Sequence, residues 1–159
     1  MKLRKTSARA QPAAPEDVLT FAFDGTGGAE TLPAEALAAR RPDIGFAWQH
    51  LRRDWERTPS LLSALNLDHI VADALTAEET RPRCTVHGSG VLLNLRGVNL
   101  HPGAEPEDMI SVRLWLEERR VVGVSVRRLQ ALDDMAAAIE RGQAPTSPGD
   151  LVAKLALRL

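Results

Sequence analysis

GVLLNLRGVN (Gly90 to Asn99) and ISVRLWLEERRVVGVSV (Ile110 to Val126) are the stretches that decide the fold of this chain. The first alternates apolar side chains with asparagine and arginine. The second alternates in the same way on either side of the charged run Glu117 to Arg120. A period of two is typical of strands that bury one face, and a short charged connection is typical of a hairpin. The sequence therefore predicts an antiparallel meander.

Further elements are predicted on both sides of this meander. Upstream strands are expected at Val18 to Phe23, at Ile44 to Leu51 and at Arg83 to His87. Helical spacing or helix-start signals predict helices over 31–39, 54–65, 67–77 and 129–141, with Asp68 in the first turn of the third. A last helix is expected after Ser147-Pro148, with Ser147 as its N-cap.

This order of elements predicts an α+β domain with a mixed, mostly antiparallel sheet flanked by helices. We assign residues 17–159 to the domain and the polar, Ala/Pro-rich residues 1–16 to a flexible tail. A chain of 159 residues that is 44% hydrophobic is large enough for one core. The apolar pattern of the last helix runs to Leu159, so we expect the natural chain to continue.

Composition narrows the possible partners. Twenty basic side chains nearly balance 21 acidic ones, which gives no reason to expect nucleic acid as a partner. The Arg52, Arg53 and Arg57 group, beside Trp48 and Trp55, is expected to be a solvated helix face that nearby carboxylates neutralise. With Cys84 as the single cysteine, no internal disulfide can form, which fits a reducing cytosol.

Six residues are candidate metal ligands by side-chain type: His87, Cys84, His101, Glu105, Glu107 and Asp108. Residues three apart on a straight strand point to opposite faces, so Cys84 and His87 need a bulge to share a metal. We expect instead a half-buried thiol and an exposed turn histidine. His50 and His69 are expected at the surface or at a strand edge.

An enzyme is not expected. The turn Asp24-Gly25-Thr26-Gly27-Gly28 could hold phosphate through backbone N–H groups, but it lacks the lysine and spacing of a Walker loop. Ser89 beside His87 has no indicated third group that would orient a catalytic pair. A small enzyme that binds a phosphorylated substrate at this turn remains an alternative, and no covalently bound cofactor is expected.

A series of short motifs resembles one known family. The motifs are DALTAEETRPR (Asp73 to Arg83), GVLLNLRGVN (Gly90 to Asn99), PEDMISVRLW (Pro106 to Trp115), VRR (Val126 to Arg128) and ALDD through RGQAPT (Ala131 to Thr146). No single motif is specific, but their order and spacing over Val18 to Leu159 are similar to the ZntB-type zinc transporters, a branch of the CorA metal-transporter family.

The resemblance implies a cytosolic domain on the cytoplasmic face of a bacterial inner membrane. It implies that the last helix starts a long stalk, followed by two transmembrane helices and a Gly-x-Asn pore loop. It also implies a homopentamer whose funnel leads to the pore, with zinc as the transported or regulatory ion. Glu105, Glu107 and Asp108 would concentrate cations there. The alternative is a free-standing soluble metal- or ligand-binding domain of the same fold.

Overall fold

The computed structural model describes residues 17–39, 42–78, 81–100, 102–105 and 107–159. The predicted flexible tail, residues 1–16, lies outside these ranges. The strands are β1 (Val18–Phe23), β2 (Ala29–Thr31), β3 (Phe46–Arg52), β4 (Arg83–His87), β5 (Gly90–Val98), β6 (Met109–Leu116) and β7 (Arg120–Ser125). The helices are α1 (Ala36–Ala39), α2 (Thr58–Ala64), α3 (His69–Thr76), α4 (Gln130–Glu140) and α5 (Pro148–Ala156).

All seven strands join in one sheet of order β2-β1-β3-β7-β6-β5-β4. The predicted meander is confirmed, because β4, β5, β6 and β7 pair antiparallel in sequence order. The Glu117 N–H donates to the Arg120 carbonyl at 2.8 Å and closes the predicted hairpin between β6 and β7. The parallel pairing of β3 with β7 makes the sheet mixed, as predicted.

Helices cover both faces of the sheet. The first core contains Phe46, Trp48 and Leu114 from the sheet and Met135 and Leu151 from α4 and α5. The second core, on the opposite face, packs sheet residues against α1, α2 and α3; its members include Leu51, Val122, Trp115, Leu61 and Leu75. The α+β class with flanking helices is therefore confirmed.

Several predicted helices are shorter in the structure, and the helix expected over 54–65 is α2, Thr58–Ala64. Thr31 belongs to β2, opposite Phe21, so the predicted helix 31–39 is reduced to the four residues of α1. The edge of β1 supplies hydrogen-bond partners to the backbone of Ala29–Thr31, so this segment forms a strand and not the start of a helix. Asp68 precedes α3 as its N-cap and accepts from the Ile70 N–H at 2.8 Å. Ile70, the second residue of α3, is 49% exposed.

His50 lies in the core and not at the surface, so that expectation is wrong. Its side chain is 3% exposed and its Nε2 lies 2.9 Å from the Ser125 hydroxyl. Strand β3 is flanked by β1 and β7 and covered on both faces, so all its positions except Arg52 are buried. Gly123 makes room for the imidazole, since a Cβ there would lie 2.3 Å from His50 Nδ1.

Helix α5 begins as predicted. Ser147 is its N-cap and accepts from the Asp150 N–H at 3.0 Å, and Pro148 occupies the first turn. After α5, the carbonyl of Leu159 accepts from the Val98 N–H at 3.2 Å, which places the last described residue against β5. A continuation into a stalk helix stays a prediction. Of the helices in the described ranges, none is long and apolar enough to cross a bilayer.

Candidate functional site

A cleft of about 880 Å³ opens over strands β4, β5 and β6, next to the segment that follows α3. We call it the arginine cleft, because five of its lining residues are arginines. The lining residues are Glu78, Arg81, Pro82, Arg83, Asn94, Arg96, Met109, Ile110, Ser111, Arg113, Val126, Arg127 and Leu129. Glu78 is the single carboxylate in this lining.

Strand register builds the floor of the cleft. Arg83 on β4 lies opposite Asn94 on β5, and Asn94 lies opposite Arg113 on β6. Residues in register on neighbouring strands point to the same face of a sheet. Arg96, two residues after Asn94 on β5, shares that face. The pleat therefore gathers side chains from three strands into one polar area.

Arg113 is the buried member of this group. It is 1% exposed, and its Nη2 donates to the Glu78 carbonyl at 3.4 Å, a long hydrogen bond. Its Nε and Nη1 have no hydrogen-bond partner among the described residues. Burial, and to a lesser degree the positive charge of Arg53, lowers the pKa of Arg113 below its ordinary value. Guanidinium groups nonetheless keep their charge in proteins, so a largely unpartnered cation lies at the cleft wall.

Arg120 is a second buried arginine, and its guanidinium has both a carbonyl and a carboxylate partner. It is 4% exposed, its Nη1 donates to the Leu65 carbonyl at 2.9 Å, and its Nε donates to the Glu117 carboxylate. Arg113 differs because the described chain offers it one distant carbonyl and no carboxylate. Buried charges are normally paired, so Arg113 is the exception that requires an explanation.

The other four arginines surround the cleft at the surface. Arg81, Arg83, Arg96 and Arg127 are exposed, and within the described ranges none of them forms an ion pair with a carboxylate. The Arg81 carbonyl accepts from Asn94 Nδ2 at 3.4 Å, which ties the segment before β4 to the floor. The cleft therefore has a strongly positive potential although the whole chain is nearly neutral.

The structure does not bring Cys84 and His87 together. Cys84 lies opposite Leu93, on the sheet face of α4 and α5, whereas the His87 ring contacts Trp115 on the other face. The expected burial is reversed, because Cys84 is exposed and the His87 side chain is 32% exposed. Strand β4 is the sheet edge, which leaves the thiol uncovered.

His87 instead meets Asp68, a contact that the sequence analysis missed. His87 Nε2 lies 3.3 Å from Asp68 Oδ2, and His69 Nδ1 lies 3.5 Å from Asp68 Oδ1. The hydrogen bond from the Ile70 N–H, followed by that from His87, lowers the pKa of Asp68. In the part of the chain that the structure describes, no three histidine, cysteine or acidic side chains are arranged to hold a metal ion.

The acidic candidates lie in the loop before β6. Glu105, Glu107 and Asp108 are exposed, and the loop is held by the Asp108 N–H, which donates to the Glu105 carbonyl at 3.0 Å. His101 lies outside the described residues. A role of Glu105, Glu107 and Asp108 toward cations stays a prediction.

The glycine-rich turn is already filled by a carboxylate. Asp24 Oδ1 accepts from the Thr26 N–H at 2.7 Å, the Thr26 hydroxyl at 2.9 Å and the Gly28 N–H at 2.9 Å. These bonds, led by that from the Thr26 N–H, lower the pKa of Asp24. The Thr26 and Gly28 N–H groups are therefore occupied, as is that of Asp24, which donates to the Gly28 carbonyl, so the turn is accounted for as an Asx turn.

The arginines near the tryptophans are paired rather than free. Arg52 contacts Asp17 at 2.7 Å, and Arg57 contacts the Glu35 carboxylate while lying 5.2 Å from the centre of the Trp55 ring. Arg53 Nε lies 3.5 Å from Asp54 Oδ1, so the predicted neutralisation of this group by nearby carboxylates is confirmed. Trp48 is fully buried and has no surface to offer a nucleic-acid base.

Four of the five motifs that carry the family resemblance contribute residues to the arginine cleft. TRPR contributes Arg81 and Arg83, the second motif contributes Arg96, the third Arg113 and the fourth Arg127. These residues were predicted only as marks of a family and not as a site. The available signal was the alternation that puts Asn94 and Arg96 on the face opposite Leu93.

Comparison with known proteins gives a consistent result. The profile of the family described as "CorA-like Mg2+ transporter protein" matches residues 43–158. Divalent cation transporter CmaX of Pseudomonas aeruginosa is 39% identical over 140 residues, which covers 86% of this chain and 42% of the relative. Zinc transport protein ZntB of Klebsiella pneumoniae is 32% identical over 136 residues, covering 85% of this chain and 41% of the relative.

Solved structures agree with the fold. Full-length CmaX superposes with a TM-score of 0.81 at 32% identity, covering 91% of this chain and 46% of that one. The ZntB cytoplasmic domain from Vibrio parahaemolyticus superposes with a TM-score of 0.71 at 22% identity, covering 86% of this chain and 55% of that one. The chain thus spans about two fifths of the length of the two relatives matched by sequence. With a family match over residues 43–158 and relatives above 30% identity over most of its length, this chain belongs to the CorA family.

Proposed function

We propose that this chain is the cytosolic domain of a divalent-cation transporter whose chief cargo is zinc. The observation that supports this proposal is the similarity, over 85% and 86% of the chain, to relatives named as a zinc and a divalent cation transport protein. The fold likeness to full-length CmaX supports the same assignment for the domain. The domain has no catalytic role in this proposal, and zinc is cargo or regulator rather than a resident cofactor.

The proposed role of the domain is to form a vestibule and to regulate the pore. Five copies would surround a funnel at the cytoplasmic face of the inner membrane, with the membrane-spanning part supplied by sequence beyond this chain. The exposed carboxylates of Glu105, Glu107 and Asp108 would raise the local concentration of cations. Such attraction is long-ranged only at low ionic strength, since the Debye length is about 8 Å at physiological salt.

Reconstitution of the full-length gene product tests the transport proposal. The purified protein is placed in liposomes that contain a zinc-sensitive dye, and zinc entry is followed with and without a pH difference across the membrane. We expect zinc flux that protein-free liposomes lack. A folded pentamer that moves no divalent cation would contradict the proposal. A stop codon directly after Leu159 would favour the free-standing soluble domain.

The vestibule role has its own test in the same liposomes. The variant Glu105→Gln/Glu107→Gln/Asp108→Asn removes three loop charges. Glu56→Gln/Asp73→Asn/Glu140→Gln removes three exposed charges elsewhere and serves as the matched control. We expect the loop variant alone to lower the initial rate at low salt, by roughly twofold or more, and the difference to vanish at high salt. Equal rates for both variants would rule out this role for the loop.

A further inference from the structure

We propose that the arginine cleft is a binding site for a polyphosphate chain, carried by a nucleotide or present as an inorganic ion. The inference is independent of cation transport and rests on the cleft alone. Its starting point is Arg113, which is 1% exposed and has two N–H-bearing nitrogens without a partner among the described residues. A buried donor that lacks an acceptor is destabilising unless a ligand or ordered water supplies one.

The ligand must be an anion with several charges. Five arginines line the cleft and face one carboxylate, that of Glu78. A guanidinium presents a planar fork of donors that matches phosphate oxygens two at a time. Because Arg83, Arg96 and Arg113 stand on three different strands, one small anion would leave part of the charge unmatched. A chain of two or more phosphates would engage them together.

The size and the apolar side of the cleft leave room for more than phosphate. A volume of about 880 Å³ falls within the range of small-molecule sites, about 300–1,000 Å³. One part of the lining is apolar: Pro82, Met109, Ile110, Val126 and Leu129. A nucleotide would place its phosphates on the arginines and its base against this apolar wall. Inorganic polyphosphate would use the arginines only.

Calorimetric titration of the 159-residue chain tests the proposal. The probes are ATP, inorganic tripolyphosphate, inorganic phosphate and adenosine, each in metal-free buffer with EDTA and physiological salt so that metal chelation by the probes is excluded. We expect saturable binding of ATP and tripolyphosphate, at least tenfold weaker binding of inorganic phosphate, and none of adenosine. Tighter binding of ATP than of tripolyphosphate identifies a nucleotide site, and equal affinity identifies a site for the inorganic chain; both support the proposal.

Variants show whether the cleft is responsible. Arg83→Gln and Arg96→Gln change exposed side chains and should each weaken binding roughly tenfold, the loss expected for a charged hydrogen bond. Arg141→Gln, which removes an exposed charge at the end of α4, is the matched control and should bind as the wild type does. Arg113→Met should abolish the thermal shift that the ligand produces.

Two results would overturn the proposal. One is the absence of saturable binding of both ATP and tripolyphosphate up to ~1 mM, the weak limit of a specific site. The other is an equal loss of affinity in Arg83→Gln, Arg96→Gln and Arg141→Gln, because that pattern means diffuse attraction to positive charge. Circular dichroism of each variant confirms that a loss of binding is not a loss of fold.

Discussion

Two buried arginines should respond in opposite directions when each is replaced by methionine. Arg113 and Arg120 are 1% and 4% exposed, so they are matched in burial, and methionine fills most of the volume of the arginine stem. They differ in partners. Arg120 donates to the Leu65 carbonyl and to Glu117, whereas Arg113 has one hydrogen bond of 3.4 Å and two unpartnered nitrogens.

The magnitudes follow from these partners. Arg113→Met removes buried unsatisfied donors, each of which costs ~1–3 kcal/mol, and loses one weak bond worth at most ~1 kcal/mol. We expect a rise of about 2 kcal/mol in the free energy of unfolding, or roughly 4–8 °C in Tm. Arg120→Met removes the ion pair with Glu117 and the hydrogen bond to the Leu65 carbonyl, and should lower the free energy of unfolding by about 3 kcal/mol.

Urea denaturation of the ligand-free chain, followed by tryptophan fluorescence, measures both changes. Trp48 and Trp115 are buried and report on the core. A shift in the urea concentration at the unfolding midpoint, with an unchanged dependence of the unfolding free energy on urea concentration, identifies a change in stability. A fall in stability of more than ~1 kcal/mol in Arg113→Met would mean that the guanidinium is satisfied in the folded chain, and the reasoning that assigns an anion to the cleft would fail.

Three further predictions concern the sheet and the last helix. Gly123→Ala should lower the unfolding free energy by ~1–3 kcal/mol through overpacking, whereas Gly149→Ala, which meets only ordinary contacts, should not destabilise in the same thermal melt. Burial lowers the pKa of His50 from 6.5 to about 3, so the unfolded chain takes up the proton first as the pH falls. Between pH 7 and pH 5, protonation of this histidine in the unfolded chain should lower the free energy of unfolding by about 2 kcal/mol. The urea midpoint of His50→Gln should therefore fall less over this pH range than that of the wild type, and an equal fall in both would refute this. Ser147→Ala should cost ~1 kcal/mol by removing the N-cap of α5, and an unchanged midpoint would show that the cap is dispensable.

Local periodicity accounts for the part of the fold that the sequence predicted. The meander from β5 to β7 was predicted because its strands alternate and the charged connection between β6 and β7 is short. Strand β2 was missed because three residues carry no periodic signal and the edge of β1 imposes their conformation. His50 was placed at the surface because its polarity is visible in the sequence, while its position in a central strand follows only from the sheet order.

The arginine cleft could not be predicted for a related reason. Alternation gives the face of each residue, so Asn94 and Arg96 could be assigned to one side of β5. It does not give the register between strands, and only register places Arg83 and Arg113 beside Asn94. The contact of His87 with Asp68 could not be predicted either, since it joins a hairpin strand to the N-cap of a helix that is distant in sequence and packs on the same face of the sheet.

The parallel pairing of β3 with β7 has a consequence for the order in which the chain folds during synthesis. The register pairs Ala47 with Arg120 and Arg52 with Ser125. Strand β3 therefore cannot complete its pairing until β7, which is synthesised much later, has left the ribosome. Until then, one edge of a strand rich in buried residues has unpaired backbone groups. Nascent chains that stall before β7 should therefore be prone to aggregation and should be substrates for chaperones.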